Sequence, residues 1–350
     1  MNFFIIFVIA TAVSVIFTVL VKIFALKFNV VDTPGLDRKI HKTTTPLLGG
    51  GAIFMAFFLV LFFMRDVLVA GELNELHWLG FFVASFILIL GGFLDDKFNL
   101  AAKYQIISPF LAVIIILAFG VSIEKISNPF GEGLIYLDYW KLADFFILSA
   151  LLIFTWLMGM MYTTKLLDGL DGLVTGVTMI GGFIIFLFTI TEKYSQPDIA
   201  VASLILSAVC FGFLIFNWHP ASIFLGEGGS LFLGFALGVL AIISGGKIAV
   251  ALLVMGIPIM DLAWTIVRRL KKKQNPFKIS DREHLHFRLL DTGIGQRKTV
   301  LLYYITALGF GLSALFLQSK GKMAALGFLF ILMFLMIYIF KKIDSKKHSL

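Results

Sequence analysis

Residues 78–98 read WLGFFVASFILILGGFLDDKF, seventeen uncharged and mostly apolar residues followed at once by Asp95 and Asp96. The run is continuous rather than alternating, which argues for a helix and against a strand. A helix needs about 20 such residues to cross a ~30 Å hydrocarbon core. Two carboxylates at a membrane edge cost desolvation free energy unless they are paired, or hold a metal or a substrate. One stretch therefore carries both the architecture and the first candidate site.

The rest of the chain extends the pattern. Of 350 residues, 59% are hydrophobic and 14% charged, and the mean hydropathy is +0.98. Soluble domains carry about 25% charged residues. A soluble enzyme of this composition would expose too much apolar surface, and a disordered chain would lack it. Apolar runs near 2–26, 47–64, 78–94, 105–123, 143–163, 173–191, 198–216, 229–245, 247–267, 300–317 and 322–340 predict eleven transmembrane helices. The expected fold class is all-α, a polytopic integral membrane protein forming a single domain over 1–350. With the N-terminus outside, the inner segments carry 21 Lys and Arg and the outer segments seven, which places the C-terminus inside. The same alternation explains the net charge of +8 without nucleic acid as a partner. The lone Cys210 lies in an apolar run and forms no internal disulfide. Strands are not expected, apart from a small hairpin in the outer segment 124–142 around Asn128-Pro129.

The chemistry falls in the inner segments near 28–46, 95–104, 164–172, 217–228 and 268–299. Asp95 and Asp96 suit a cation or a base. In KLLDGLDGLVTG, residues 165–176, Asp168 and Asp171 are spaced to share a helical face, and Gly169 and Gly172 leave room for a ligand. In FNWHPASIFLGEGGSLFLGF, residues 216–235, Glu227 precedes Gly228, Gly229 and Ser230 at a helix start. Backbone N–H groups there attract phosphate, and Mg²⁺ on the acid would bridge to it. Phe224 and Asn217 suit stacking on, and hydrogen bonding to, a base. Ser280 and Glu283 form a capping box, which predicts a helix from 281 to Gly293. His284 and Arg288 would share its face for phosphate contact, with His286 about 200° away from His284. Arg38, Lys39, His41 and Lys42 make a second anion-attracting patch. Carboxylates, cations and a membrane together suit phosphoryl transfer from a soluble donor to a lipid acceptor.

With those residues in view, the chain resembles the polyprenyl-phosphate N-acetylhexosamine-1-phosphate transferases of glycosyltransferase family 4. DRKIHK at 37–42, the Asp95-Asp96 pair, DGLDGL at 168–173, IFLGEGGSLFLG at 223–234, PIMD at 258–261 and DREHLHFRLL at 281–290 carry the resemblance. The HLHFRLL form is more similar to the branch using UDP-N-acetylglucosamine than to the phospho-MurNAc-pentapeptide translocases. The resemblance implies Asp95 and Asp96 as catalytic, with Asp168 beside the diphosphate and metal, and Glu227 at the Mg²⁺ position. It implies Lys42, Asp171, Asn217 and Phe224 around the nucleotide, and His284, His286 and Arg288 on the sugar or phosphates. The implied cofactor is Mg²⁺, with Mn²⁺ as a substitute. The implied partners are a UDP-sugar donor, a polyprenyl phosphate acceptor and the plasma membrane; homodimers are common in the family. Phospho-MurNAc-pentapeptide transfer and an inactive scaffold of the same family are the alternatives.

Three residues depart from the family pattern. Lys165 stands where Asn is usual, Glu227 where Asp is usual, and Phe287 where a third histidine is usual. A protonated lysine cannot ligate Mg²⁺, so either the metal geometry differs or the ammonium replaces part of the metal's charge.

Overall fold

The computed structural model describes residues 1–33, 44–71, 73–123, 125–128, 133–137, 141–142, 145–191, 195–245, 248–273 and 283–347. Each of the eleven apolar runs contains a helix. The helices are α1 (Phe3–Lys27), α2 (Gly49–Phe63), α3 (Glu75–Phe98), α4 (Ile107–Ala118), α5 (Ile147–Leu167), α6 (Leu173–Thr189) and α7 (Pro197–Asn217). They continue as α8 (Glu227–Ile243), α9 (Ile248–Val254), α10 (Gly256–Lys271), α11 (Leu285–Leu289), α12 (Gln296–Phe316) and α13 (Ser319–Lys347). Local chemistry fixes several starts. Asn2 Oδ1 accepts from the N–H groups of Phe4 and Ile5, and Asn74 and His77 close a reciprocal cap at the head of α3.

Among the described residues five helices are long and apolar enough to cross a membrane. Counting α9 and α10 as one broken span makes six. The shorter helices α2, α6 and α8 have 15 to 17 residues, which at 1.5 Å per residue falls short of a ~30 Å core. The run at 247–267, read from the sequence as one span, is broken in the middle. It bends by 81° between α9 and α10. Pro258 accounts for the break, because it has no N–H and its ring clashes with the carbonyl four residues back.

Helix α8 is the axis of the bundle. Every residue from Gly228 to Ile242 is buried, as expected of a helix apolar all round. It packs against α2, α3, α5 and α6, while α7 lies between α6 and α1. Apolar side chains of α1, including Phe4, Ile16 and Ile23, are exposed on the outer surface. Two seams bring backbones into direct contact. A Cβ at Gly50 would fall 2.0 Å from Gly229 Cα, and one at Gly92 would fall 2.0 Å from Gly228 N. Small residues are what allow membrane helices to approach so closely.

The all-α expectation needs one correction. Among the described residues there are three two-stranded antiparallel pairs: Val31–Asp32 with Thr45–Pro46, Lys125–Ser127 with Leu134–Tyr136, and Lys141–Leu142 with Phe145–Phe146. The second is the outer hairpin expected at 124–142. The first draws the chain toward the head of α2, where Gly49 N and Gly50 N donate to the carbonyls of Phe224 and Leu225 at 2.9 and 2.7 Å. The loop before α8 thereby satisfies N–H groups that the helix itself leaves open.

Candidate active site

The carboxylates meet where α3 ends and α8 begins. Asp96 lies in the last turn of α3, and both its carboxylate oxygens accept from Glu227 N at 3.1 and 3.2 Å. An acidic side chain at a helix N-terminus is favourably placed against the helix dipole. Gly226 makes the approach feasible: its φ is +77°, and a Cβ there would fall 2.5 Å from Asp96 Oδ2. Asp95 is anchored differently, with Oδ1 accepting from Leu100 N at 2.9 Å and Gln105 Nε2 at 3.1 Å. Lys165, in the last turn of α5, sets its ammonium 2.5 Å from Glu227 Oε1 and 2.9 Å from Gln105 Oε1.

Asp168 caps α5 and opens the turn into α6. The residue is exposed to solvent, yet the surrounding protein desolvates its carboxyl group. That desolvation raises its pKa to about 8, and the charges of Glu227, Asp96 and Asp171 push in the same direction. Asp168 and Asp171 do not share a helical face. Gly172, with φ +76°, breaks the segment, so α6 starts only at Leu173. Asp171 Oδ2 accepts from Ala221 N at 3.1 Å and lies 2.7 Å from His219 Nδ1. Asn217 is buried, and its side chain is occupied within the protein. Its Oδ1 accepts from Gly172 N and Thr175 Oγ1, and its Nδ2 donates to Ile223 O. It ties the α5–α6 turn to the α7–α8 loop rather than presenting an open amide. Tyr304 Oη adds a bond to Gly172 O.

The histidine segment departs from the expected helix. Helix α11 begins at Leu285, not 281, and runs into a wide turn over Leu290–Ile294. His284 precedes it in an extended conformation, with ψ at 148°. The 200° separation therefore does not apply, and the rings of His284 and His286 stack at 5.8 Å with planes 7° apart. Asp261 on α10 orients them. Its Oδ1 accepts from Leu285 N at 3.2 Å, and Oδ2 lies 3.0 Å from His284 Nδ1. His286 is fully buried, and among the described residues neither ring nitrogen has a hydrogen-bond partner. Burial drives its pKa down to about 3, against the opposing pull of Asp261, so the ring is neutral. It packs on Gly169, where a Cβ would fall 2.6 Å from its Nε2, and so closes over the turn that carries Asp168 and Asp171. Glu283 gathers Arg268, Lys272 and Arg288 around its carboxylate.

Residues 78–245 match the model of glycosyl transferase family 4. A probable undecaprenyl-phosphate N-acetylglucosaminyl 1-phosphate transferase of Bacillus subtilis is 33% identical over 94% of this chain and 89% of its own length. The chain belongs to glycosyl transferase family 4. An undecaprenyl-phosphate α-N-acetylglucosaminyl 1-phosphate transferase of Thermotoga maritima is 30% identical to this family-4 chain, over 87% of each. A phospho-N-acetylmuramoyl-pentapeptide-transferase of Oceanobacillus iheyensis is 30% identical, over 79% of this chain and 85% of its own.

The family-4 chain thus brings Asp95, Asp96 and Glu227 into one cluster, with Asp168 close enough to sense its charge. Asp171 and Asn217 flank the same turn, and His284 and His286 cover it. Phe224 is half-buried, its backbone tied to Pro46 and Gly49. Lys42, its neighbours Arg38, Lys39 and His41, and the capping residue Ser280 lie outside the described residues. Sequence reasoning missed Gln105, His219 and Asp261. Only Asp261 had a signal, as a buried acid inside PIMD with no role assigned.

Proposed function

We propose that the protein transfers N-acetylglucosamine-1-phosphate from UDP-N-acetylglucosamine to undecaprenyl phosphate, releasing UMP and initiating a cell-envelope glycan. The relatives named above carry the substrate assignment. The carrying observation in the structure is the meeting of Asp95, Asp96, Glu227 and Lys165 at one end of the bundle, beside the Asp168 turn. We place that end at the cytoplasmic face of the plasma membrane, with eleven crossings and the N-terminus outside, on the loop-charge asymmetry.

The residues divide the work. Among the described residues the hydrogen bonds to the Asp95 carboxylate go to Oδ1, which leaves Oδ2 to hold the lipid phosphate deprotonated. Asp96 gives both oxygens to Glu227 N and sets the distance between the two walls. The phosphate oxygen attacks the β-phosphorus of the donor in line, and UMP departs. His284, held by Asp261, and Arg288 meet the donor's sugar or phosphates.

Among the described residues no three His, Cys, Asp or Glu side chains form a metal site by themselves. Mg²⁺ is commonly held by one or two carboxylates and completed by substrate phosphates. Glu227 and Asp168, hard oxygen donors of which the second senses the charge of the first, fit that pattern. When bound there, Mg²⁺ would neutralise the diphosphate.

Purified protein supplied with undecaprenyl phosphate, UDP-N-acetylglucosamine and Mg²⁺ should release UMP, and Asp95→Asn should abolish the release while leaving yield and folding intact. Release only with UDP-MurNAc-pentapeptide would keep the chemistry and replace the donor. No release from folded protein with either donor would point to an inactive scaffold.

A further inference from the structure

Lys165 joins three elements. Its ammonium touches Glu227 at the head of α8 and Gln105 in the turn before α4, and Gln105 donates in turn to Asp95 Oδ1 and Leu100 O. The lysine and glutamate side chains are 20% and 17% exposed. Their attraction is therefore screened far less than that of a surface pair. A divalent cation on Glu227 would sit about 2.1 Å from a carboxylate oxygen, well under about 5 Å from the ammonium as it now stands. Two positive charges at that separation repel strongly, and the ammonium already neutralises the carboxylate.

We infer that Lys165 occupies Glu227 in the donor-free protein, and that a divalent cation reaches Glu227 only with the donor's diphosphate, whose charge draws the ammonium away. The inference rests on the transferase reading above. Lys165 is then a positioning residue with two alternating partners, Glu227 at rest and a phosphate oxygen in the loaded state. Gln105, which bonds both Lys165 and Asp95, passes the state of the cation site to the catalytic pair.

The test is direct binding of Mn²⁺, followed by electron paramagnetic resonance on the full chain in detergent. Without donor, the wild type should bind Mn²⁺ at least about tenfold more weakly than Lys165→Asn or Lys165→Met. Adding Glu227→Gln to either variant should remove the gain. With UDP-N-acetylglucosamine, the wild type should give a protein-bound Mn²⁺ spectrum distinct from that of the nucleotide complex in solution. Equal Mn²⁺ affinity in donor-free wild type and Lys165 variants overturns the inference. Should the variants fail to fold, tight donor-independent binding of Mn²⁺ to the wild type overturns it alone, and donor-dependent binding sustains it. UMP release is read separately. A chain that turns over but binds Mn²⁺ equally with and without donor refutes only the role of Lys165, whereas absent turnover refutes the transferase reading.

Discussion

Replacing Gly92 by alanine tests whether the seam between α3 and α8 sets the geometry of the site. The new Cβ would fall 2.0 Å from Gly228 N and 2.1 Å from Gly228 Cα. Ordinary contact begins near 3.4 Å, and a close-packed interior has no slack to absorb the difference, so the helices must part by about 1.3 Å. Backbone faces the methyl group, and no side chain can rotate away. The Glu227 N–H bonds to Asp96, now 3.1 and 3.2 Å, would stretch past hydrogen-bonding distance. A misplacement of about 1 Å costs on the order of 10²-fold in rate, so kcat/KM for UMP release should fall about 100-fold. Overpacking should also cost about 1–3 kcal/mol of stability. Gly51→Ala is the control, because a Cβ there meets nothing within 4 Å. The assay is steady-state UMP release alongside thermal unfolding of both variants in the same detergent. A Gly92→Ala protein within about threefold of wild-type kcat/KM and of unchanged stability would refute the reasoning.

Further outcomes follow from the other anchors. His286 has a folded pKa of about 3, below the ordinary histidine value of about 6.5, so its contribution is intact above pH 6.5 and is lost as pH falls toward 3. Thermal unfolding of wild type should therefore weaken from pH 7 to pH 5, and His286→Asn should show less of that slope; an identical slope would rule the residue out. Asp168, raised to about 8, must lose its proton before it can ligate, so half-saturating Mg²⁺ for UMP release should decrease from pH 6 to pH 8. Flat dependence would remove Asp168 from the metal. Asp261→Ala strands Leu285 N and frees His284, and should lower kcat about 10–100-fold, by analogy with losses at outer-shell partners. Asp261→Asn should restore the Leu285 bond without restoring kcat. Asn217→Ala leaves three buried partners unsatisfied and should destabilise by about 2–3 kcal/mol, read by denaturant unfolding in detergent.

The helices were legible because eleven apolar runs announce themselves by length and continuity. Their lengths were less legible. Helix α8 can be short because it is sheathed in protein, which hydropathy alone does not report. The bend at Met255 had a signal in Pro258 that the apolar run concealed. The acidic cluster was legible as separate motifs, since each carries its carboxylate beside glycines or a span end. What joins the motifs was not. Lys165 meets Glu227 across 62 positions, and Asp261 meets His284 across 23. Such pairings arise from tertiary packing, which no local pattern encodes. Asn217 illustrates the reverse error: its polarity beside an aromatic suggested an open base contact, whereas burial turned the same amide inward.

The order in which the site's parts occur along the chain has a consequence for biosynthesis. Asp95, Lys165, Asp168 and Glu227 are all present once α8 has been made, but the histidine turn that closes over Gly169 lies beyond the bend at Met255. A nascent chain that has inserted as far as Ile243 already carries all of these carboxylates, yet lacks the histidine turn that packs on Gly169. The last third of the polypeptide therefore completes from outside a turn whose carboxylates were laid down earlier in the chain.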